Sequence, residues 1–302
     1  MRTILISISV LFLTAAADRP SNLTLSGDNI VPVTINGEAV RIKVDPAYAG
    51  LITVNRDVVS RARLKPSMIG TLHRVGPVMI SFRTDAARTD FGFGQKKRRI
   101  MWPDRSIVTG VDGIAGPNAL PWSRLTFTLG PKIDGEREID LPLEVHGPFG
   151  LRGSITRLKL GDEEIKVWFS LILPHSLATA GLGAELARNN GGAMTGPSHA
   201  TEIRYGIERP VRTMQLTTPL LIGGRALREM GVRLADFGDA SGIPEAGAKQ
   251  DEDEIVVTAK KKGKHDYSLL VGRDFLNGCS SLTYDFPAKL IRLSCAPDKV
   301  GH

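Results

Sequence analysis

Apolar and polar residues alternate through much of this chain. In "VPVTINGEAVRIKVD" (Val31 to Asp45) the apolar residues fall on every second position either side of Asn36-Gly37, the pattern of a β-hairpin with a two-residue turn. "ITRLKLGDEEIKVWFS" (Ile155 to Ser170) repeats it around Gly161-Asp162. Towards the C-terminus, Leu269 to Val271 is an apolar strand ending at Gly272. "RDFLNGC" suits about one helical turn, "SLTYDF" alternates as a strand, "PAK" turns, and "LIRLSC" returns as the hairpin partner. Two stretches break the period of two and read as helical, "NRDVVSRARL" and "LATAGLGAELARN".

The order of these elements occurs twice. "DGIAGPNALPWSRLTFTLGP" has the same succession as the C-terminal stretch: Gly116 matches Gly272, Leu120 matches Leu276, and Leu125-Thr126-Phe127 matches Leu282-Thr283-Tyr284. Upstream, Val40, Ile42 and Val44 fall on Ile165, Val167 and Phe169, which lays Asp45 on Ser170. From Asp45 to Gly116 is 71 positions and from Ser170 to Gly272 is 102. The excess is about the length of the polar stretch from Gly238 to Asp266, which reads as an inserted loop. The pattern predicts an all-β protein of two like lobes, residues 26–145 and 150–298, the second carrying the insertion at 238–266.

Composition adds less. With 302 residues, 42% of them hydrophobic, the chain can bury a core in each lobe. Arg2, the apolar run Ile4 to Leu13 and Ala15-Ala16-Ala17 read as a secretory signal peptide over residues 1–17, with an uncleaved anchor as the alternative. No other run approaches the ~20 apolar residues of a membrane span, so no stable span is expected after cleavage. The mature chain is expected to be exported, into the periplasm. Its two cysteines, Cys279 and Cys295, are then expected to form a disulfide. No Cys/His cluster has zinc spacing, and neither metal nor cofactor is expected. The formal charge is +7, concentrated in Lys96-Lys97-Arg98-Arg99 and Lys260-Lys261-Lys262. Those runs suit solvated loops or a surface for an acidic partner or anionic lipid. No nucleic-acid recognition motif accompanies them.

"LLVGRDFLNGCSSLTYDFPAKLIRL", the weaker "GIAGPNAL" with "LTFTLG", and "VPVTINGEAVRIKVDPAYAG" together resemble the aspartic peptidases, in particular the retropepsin-like proteins of bacteria. The resemblance covers nearly the whole mature chain and implies two pepsin-like lobes with a cleft between them. It also implies an endopeptidase in which two aspartates share one proton, one acting as base on water and the other as acid on the peptide carbonyl. Each aspartate of that family is followed by Thr or Ser and then Gly. Here Asp45 stands at the first position, but Pro46 replaces the hydroxyl residue and Ala47 the glycine. At the second position stands Ser170, with no carboxylate, and the nearby His175 cannot take the place of a proton-sharing acid. The family's flap falls on "DFGFGQKKRRIMW" (Asp90 to Trp102), whose glycines and aromatics suit a mobile hairpin tip.

Three functions stand side by side. The leading one is a non-catalytic descendant, a pseudo-peptidase that binds an extended peptide or protein segment in the cleft. The second is an active periplasmic aspartic endopeptidase using Asp45. The third is an interaction module acting through the 238–266 loop. Within that loop Glu254 to Ala259, "EIVVTA", flanked by acidic and basic runs, suits addition as a strand to a partner sheet, as in the energy-coupling box of TonB-dependent transporters. No phosphate loop and no nucleophile elbow is present.

Overall fold

The computed structural model describes residues 21–235, 240–247 and 266–297. The expected signal peptide, most of the inserted loop and its Glu254 to Ala259 segment lie outside the described residues. In chain order the first half gives β1 (Asn22–Leu25), β2 (Ile30–Ile35), β3 (Glu38–Val44), β4 (Ile52–Val54), α1 (Arg56–Arg61), β5 (Thr71–Val75), β6 (Val78–Asp90), β7 (Lys96–Pro103), β8 (Gly113–Ala115) and β9 (Arg124–Thr128). The second half gives β10 (Arg137–Pro142), β11 (Glu144–Val145), β12 (Ser154–Leu160), β13 (Glu163–Phe169), β14 (Leu177–Ala178), α2 (Ala180–Asn190), β15 (Gly192–Arg204), β16 (Ile207–Ile222) and β17 (Arg225–Arg233). It ends with β18 (Ser268–Val271), α3 (Arg273–Leu276), β19 (Cys279–Asp285) and β20 (Leu290–Cys295).

The two lobes share one topology. The first sheet runs β2-β3-β8-β4-β7-β6-β5, and the second runs β12-β13-β18-β14-β17-β16-β15 beyond the short β11 at its edge. Strand directions agree pair by pair: β3 is parallel to β8 as β13 is to β18, and β4 is parallel to β7 as β14 is to β17. Register agrees too. Val44 pairs Ala115 as Phe169 pairs Val271, and the next amides, of Asp45 and Ser170, donate to the carbonyls of Ala115 and Val271. The expected overlay of Asp45 on Ser170 and of Gly116 on Gly272 is therefore found in the hydrogen-bond ladder. Burial explains the shared pattern: Val40, Ile42 and Val44 in the first half, and Ile165, Val167 and Phe169 in the second, all point into the apolar core.

A third sheet, β1-β9-β19-β20-β10, joins the lobes. At its centre β9 and β19 are antiparallel. Thr126 faces Thr283 across it, their hydroxyl oxygens 3.0 Å apart, with Phe127 opposite Leu282 and Leu125 opposite Tyr284. Repeat-equivalent residues thus exchange places about a pseudo-two-fold axis through the Thr126–Thr283 pair. Residues 137–145, counted with the first lobe in the sequence, cross over: β10 pairs β20 and β11 pairs β12. Cys279 and Cys295 face each other across the β19–β20 pair and form the disulfide, their Cα atoms 3.8 Å apart. Of the insertion, Asp266 and residues 240–247 are described; the latter lie at the second sheet. They bury Ala240 and Ile243 and make a parallel bridge from Glu245 to Met194 at the outer edge of β15.

Candidate functional site: the Asp45–Ser170 junction

The two turns that follow β3 and β13 meet where the lobes touch. Each is held close by its glycine. A Cβ on Gly116 would run into the Tyr48 carbonyl, and one on Gly272 would sit 2.6 Å from the His175 carbonyl carbon. Neither glycine has positive φ, at −81° and −90°. Close passage of the turn backbone, rather than backbone twist, excludes a side chain at both.

Asp45 is fully buried. Its Oδ1 accepts from the amide of Ala47 in its own turn, at 2.9 Å. Its Oδ2 accepts three bonds from the opposite lobe: the Ser170 hydroxyl at 3.1 Å, the Leu171 amide at 2.7 Å and the Ile172 amide at 3.0 Å. Burial pushes the Asp45 carboxyl up from its ordinary value, and the four donated bonds oppose the rise. Pro46 fits here because its missing N–H is not called on; the amide of the residue after it makes the contact. His175, the other polar side chain near the second turn, makes no contact with Asp45; its neighbour Ser176 donates by amide and hydroxyl to Asp274. No second carboxylate is a hydrogen-bond partner of Asp45 among the described residues. The position a proton-sharing partner would need is filled by donors.

Above this junction the cleft is filled. Tyr205 and Gly206 form the two-residue turn between β15 and β16, both at positive φ, 58° and 71°. The Tyr205 ring is fully buried, edge-on to Tyr48 and Phe82, with its hydroxyl 3.2 Å from His73 Nδ1. The Arg204 guanidinium lies over the Tyr48 and Tyr205 rings and donates to the Ala47 carbonyl, so the second-lobe hairpin is tied to the Asp45 turn itself. Val75, Ile80 and Phe82 of the β5–β6 hairpin complete the apolar cluster that spans the two lobes. Burial beside Arg204 and Arg152 brings His73 down to about 4.

The hairpin that closes on the junction from the first lobe is therefore β5–β6, and the expected flap at Asp90–Trp102 is corrected. Residues 91–95 form the far turn of β6 into β7. The Asp90 carboxylate accepts there from the amides of Gly92 and Gly94, and Phe91 and Phe93 pack edge-on to Trp122. Tyr205 and Arg204 were not singled out from the sequence. The available signal was "RYGIE", two turn-forming positions between alternating strands at the place in the second lobe that matches β5–β6.

No protein-family model matches the chain, and no curated protein matches it. Among solved structures, the chain is similar to the crystal structure of an aspartic proteinase from Irpex lacteus, at 13% identity and a TM-score of 0.42. The alignment covers 90% of this chain and 95% of that one.

Proposed function

We propose that this is an exported, non-catalytic protein of aspartic-peptidase-like build, which binds an extended peptide or protein segment in its inter-lobe cleft when the second-lobe hairpin moves aside. The observation that carries the loss of catalysis is the occupancy of Asp45 Oδ2 by three donors from the opposite lobe. A shared-proton acid needs an acceptor facing it, and Ser170 with two amides offers donors instead. Asp45 then acts as an acceptor that fastens one lobe to the other. The filled cleft counts against an open groove, so binding is coupled to displacement of Tyr205. That ring is fully buried on a two-residue turn whose positive φ persists when the hairpin moves, so leaving costs its burial. Export rests on the Arg2, Ile4–Leu13 and Ala15–Ala17 pattern.

Acid-pH digestion of unfolded protein substrates tests the first half. Neither wild type nor Asp45→Asn is expected to cleave, and cleavage by wild type that Asp45→Asn abolishes would make Asp45 catalytic. Titration with unfolded-polypeptide fragments tests the second half. Tyr205→Gly is expected to tighten binding, and affinity indifferent to that change would move the binding site out of the cleft.

A further inference from the structure

The chain's positive charge is unevenly placed. Residues 56–107 hold twelve Lys and Arg against four Asp and Glu, so this stretch alone exceeds the +7 of the whole chain. It builds α1 and the three strands β5, β6 and β7. The β5–β6 hairpin has two unlike faces. Its inner face, with Val75, Ile80 and Phe82, closes on Tyr205. Its outer face carries Leu72, Arg74, Met79, Ser81 and Arg83, all exposed, with Arg74 opposite Met79 and Leu72 opposite Ser81.

Residues 67–70 prolong this face along the edge of β6: the Ser67 amide donates to the Thr84 carbonyl, and the Thr84 hydroxyl donates to the Ile69 carbonyl at 2.5 Å. Met68 is 105% exposed, Leu72 64%, Ile69 60% and Met79 53%. Four large apolar side chains thus stand free along one hairpin, on the most basic part of the molecule. Scattered exposed apolar residues need no explanation, but a strip bordered by an excess of positive charge does, even with Asp104 3.6 Å from Arg83 and Asp85 beside Lys65.

We propose that the outer face of the β5–β6 hairpin docks on an anionic lipid surface. Met68, Ile69, Leu72 and Met79 would enter the boundary between headgroups and acyl chains, and Arg74, Arg83 and Lys65 would lie at the phosphates. Lys96 to Arg99, farther along β7, add long-range attraction. Charge complementarity selects this occupant. A protein partner at a stable interface needs a broad surface with its charges paired across it, whereas a lipid surface needs only a narrow apolar strip within a net positive field, such as the twelve Lys and Arg against four Asp and Glu of residues 56–107. Among the described residues no helix is long and apolar enough to cross a membrane. The cleft reading is not required for it.

Co-sedimentation with vesicles tests the proposal. The full chain is expected to pellet with mixed phosphatidylcholine and phosphatidylglycerol vesicles and not with phosphatidylcholine alone, and to be released by salt. The triple variant Met68→Ser, Leu72→Ser, Met79→Ser is expected to lose roughly tenfold or more in apparent affinity. The double variant Arg74→Glu, Arg83→Glu, which leaves the apolar strip intact, is expected to weaken binding as well. Leu221→Ser, at an exposed position of the other lobe, serves as control and is expected to bind as wild type. Absence of binding by wild type, or affinity unchanged in both multiple variants, overturns the proposal. So does a self-association, seen by sedimentation velocity without lipid, that the triple variant abolishes; the strip would then belong to an interface between copies.

Discussion

The Ser170 hydroxyl lies 3.1 Å from Asp45 Oδ2 and donates to it across the lobe boundary. The two residues occupy equivalent places in the repeat, so the pair stands where symmetry would have set two identical groups face to face. One is an acceptor and the other a donor, and the asymmetry makes the contact attractive at every pH where Asp45 is ionised.

Two substitutions test this junction. Asp45→Ala leaves the buried amide of Ala47 and the part-buried amides of Leu171 and Ile172 without their acceptor and is expected to destabilise by about 3 kcal/mol. Ser170→Asp restores a carboxylate and sets like charges together. One of the two folded pKa values is then raised above its unfolded value, so stability is retained in acid and lost as pH rises through the raised value. Denaturant titrations are expected to show Ser170→Asp weaker than wild type by on the order of 2 kcal/mol at neutral pH, with the gap narrowing in acid. A gap independent of pH would mean that the two side chains do not meet.

Tyr205→Gly sets the burial of a ring against backbone strain. Glycine takes the positive φ freely, which returns roughly 1 kcal/mol, while removing a fully buried aromatic side chain costs about 3–5 kcal/mol. The expected result is a net loss of stability of about 2–4 kcal/mol. Amide exchange is expected to rise in β5 and in the β15–β16 hairpin while β3 and β13 stay protected. Uniform loss of protection would show the cleft cluster to be part of one cooperative core.

Gly116 and Gly272 provide a matched pair. Alanine at either place would meet turn backbone, the Tyr48 carbonyl in one lobe and the His175 carbonyl in the other, and neither can swing aside as a side-chain end could. Each substitution is expected to cost roughly 2–3 kcal/mol, and because the two turns meet through Asp45 the two costs are expected to depart from additivity by more than about 0.5 kcal/mol. Thermal melts of the two single variants and the double variant check both statements. A cheap substitution at one site alone would show that its turn relaxes and that the lobes are unequal there.

The sequence carried the parts of this fold that depend on local periodicity. Alternation put Val40, Ile42 and Val44 inward, Asn36-Gly37 supplied the positive φ values of its turn, and the two glycines marked the close passages. What it did not carry depends on contacts between distant segments. The donors that occupy Asp45 are partly the backbone amides of Leu171 and Ile172, groups every residue has, so no residue type announces them. Tyr205 at a hairpin tip reads as a solvent-facing aromatic until the opposite hairpin is known to cover it. The glycines of residues 91–95 suggested mobility, yet Asp90 and Trp122 secure that turn.

His73 gives the cleft a pH dependence. In the folded chain its imidazole is held down to about 4 by burial and by the charges of Arg204 and Arg152, against an unfolded value near the ordinary 6.5. Between those values the unfolded chain binds a proton that the folded chain refuses. Stability contributed by neutral His73 is thus complete above the unfolded value and is lost as pH falls from about 6.5 to about 4. The loss is on the order of 2–3 kcal/mol for a shift of this size in a largely buried ring. His73→Gln has no imidazole to protonate and is expected to flatten this part of the stability profile, at some cost in packing against Phe82. Because His73 Nδ1 faces the Tyr205 hydroxyl, acid is also expected to loosen the β15–β16 hairpin before the lobes unfold. Stability measured across this pH range for wild type and His73→Gln decides the matter. Parallel profiles would assign the acid sensitivity to other groups and leave His73 as a packing residue.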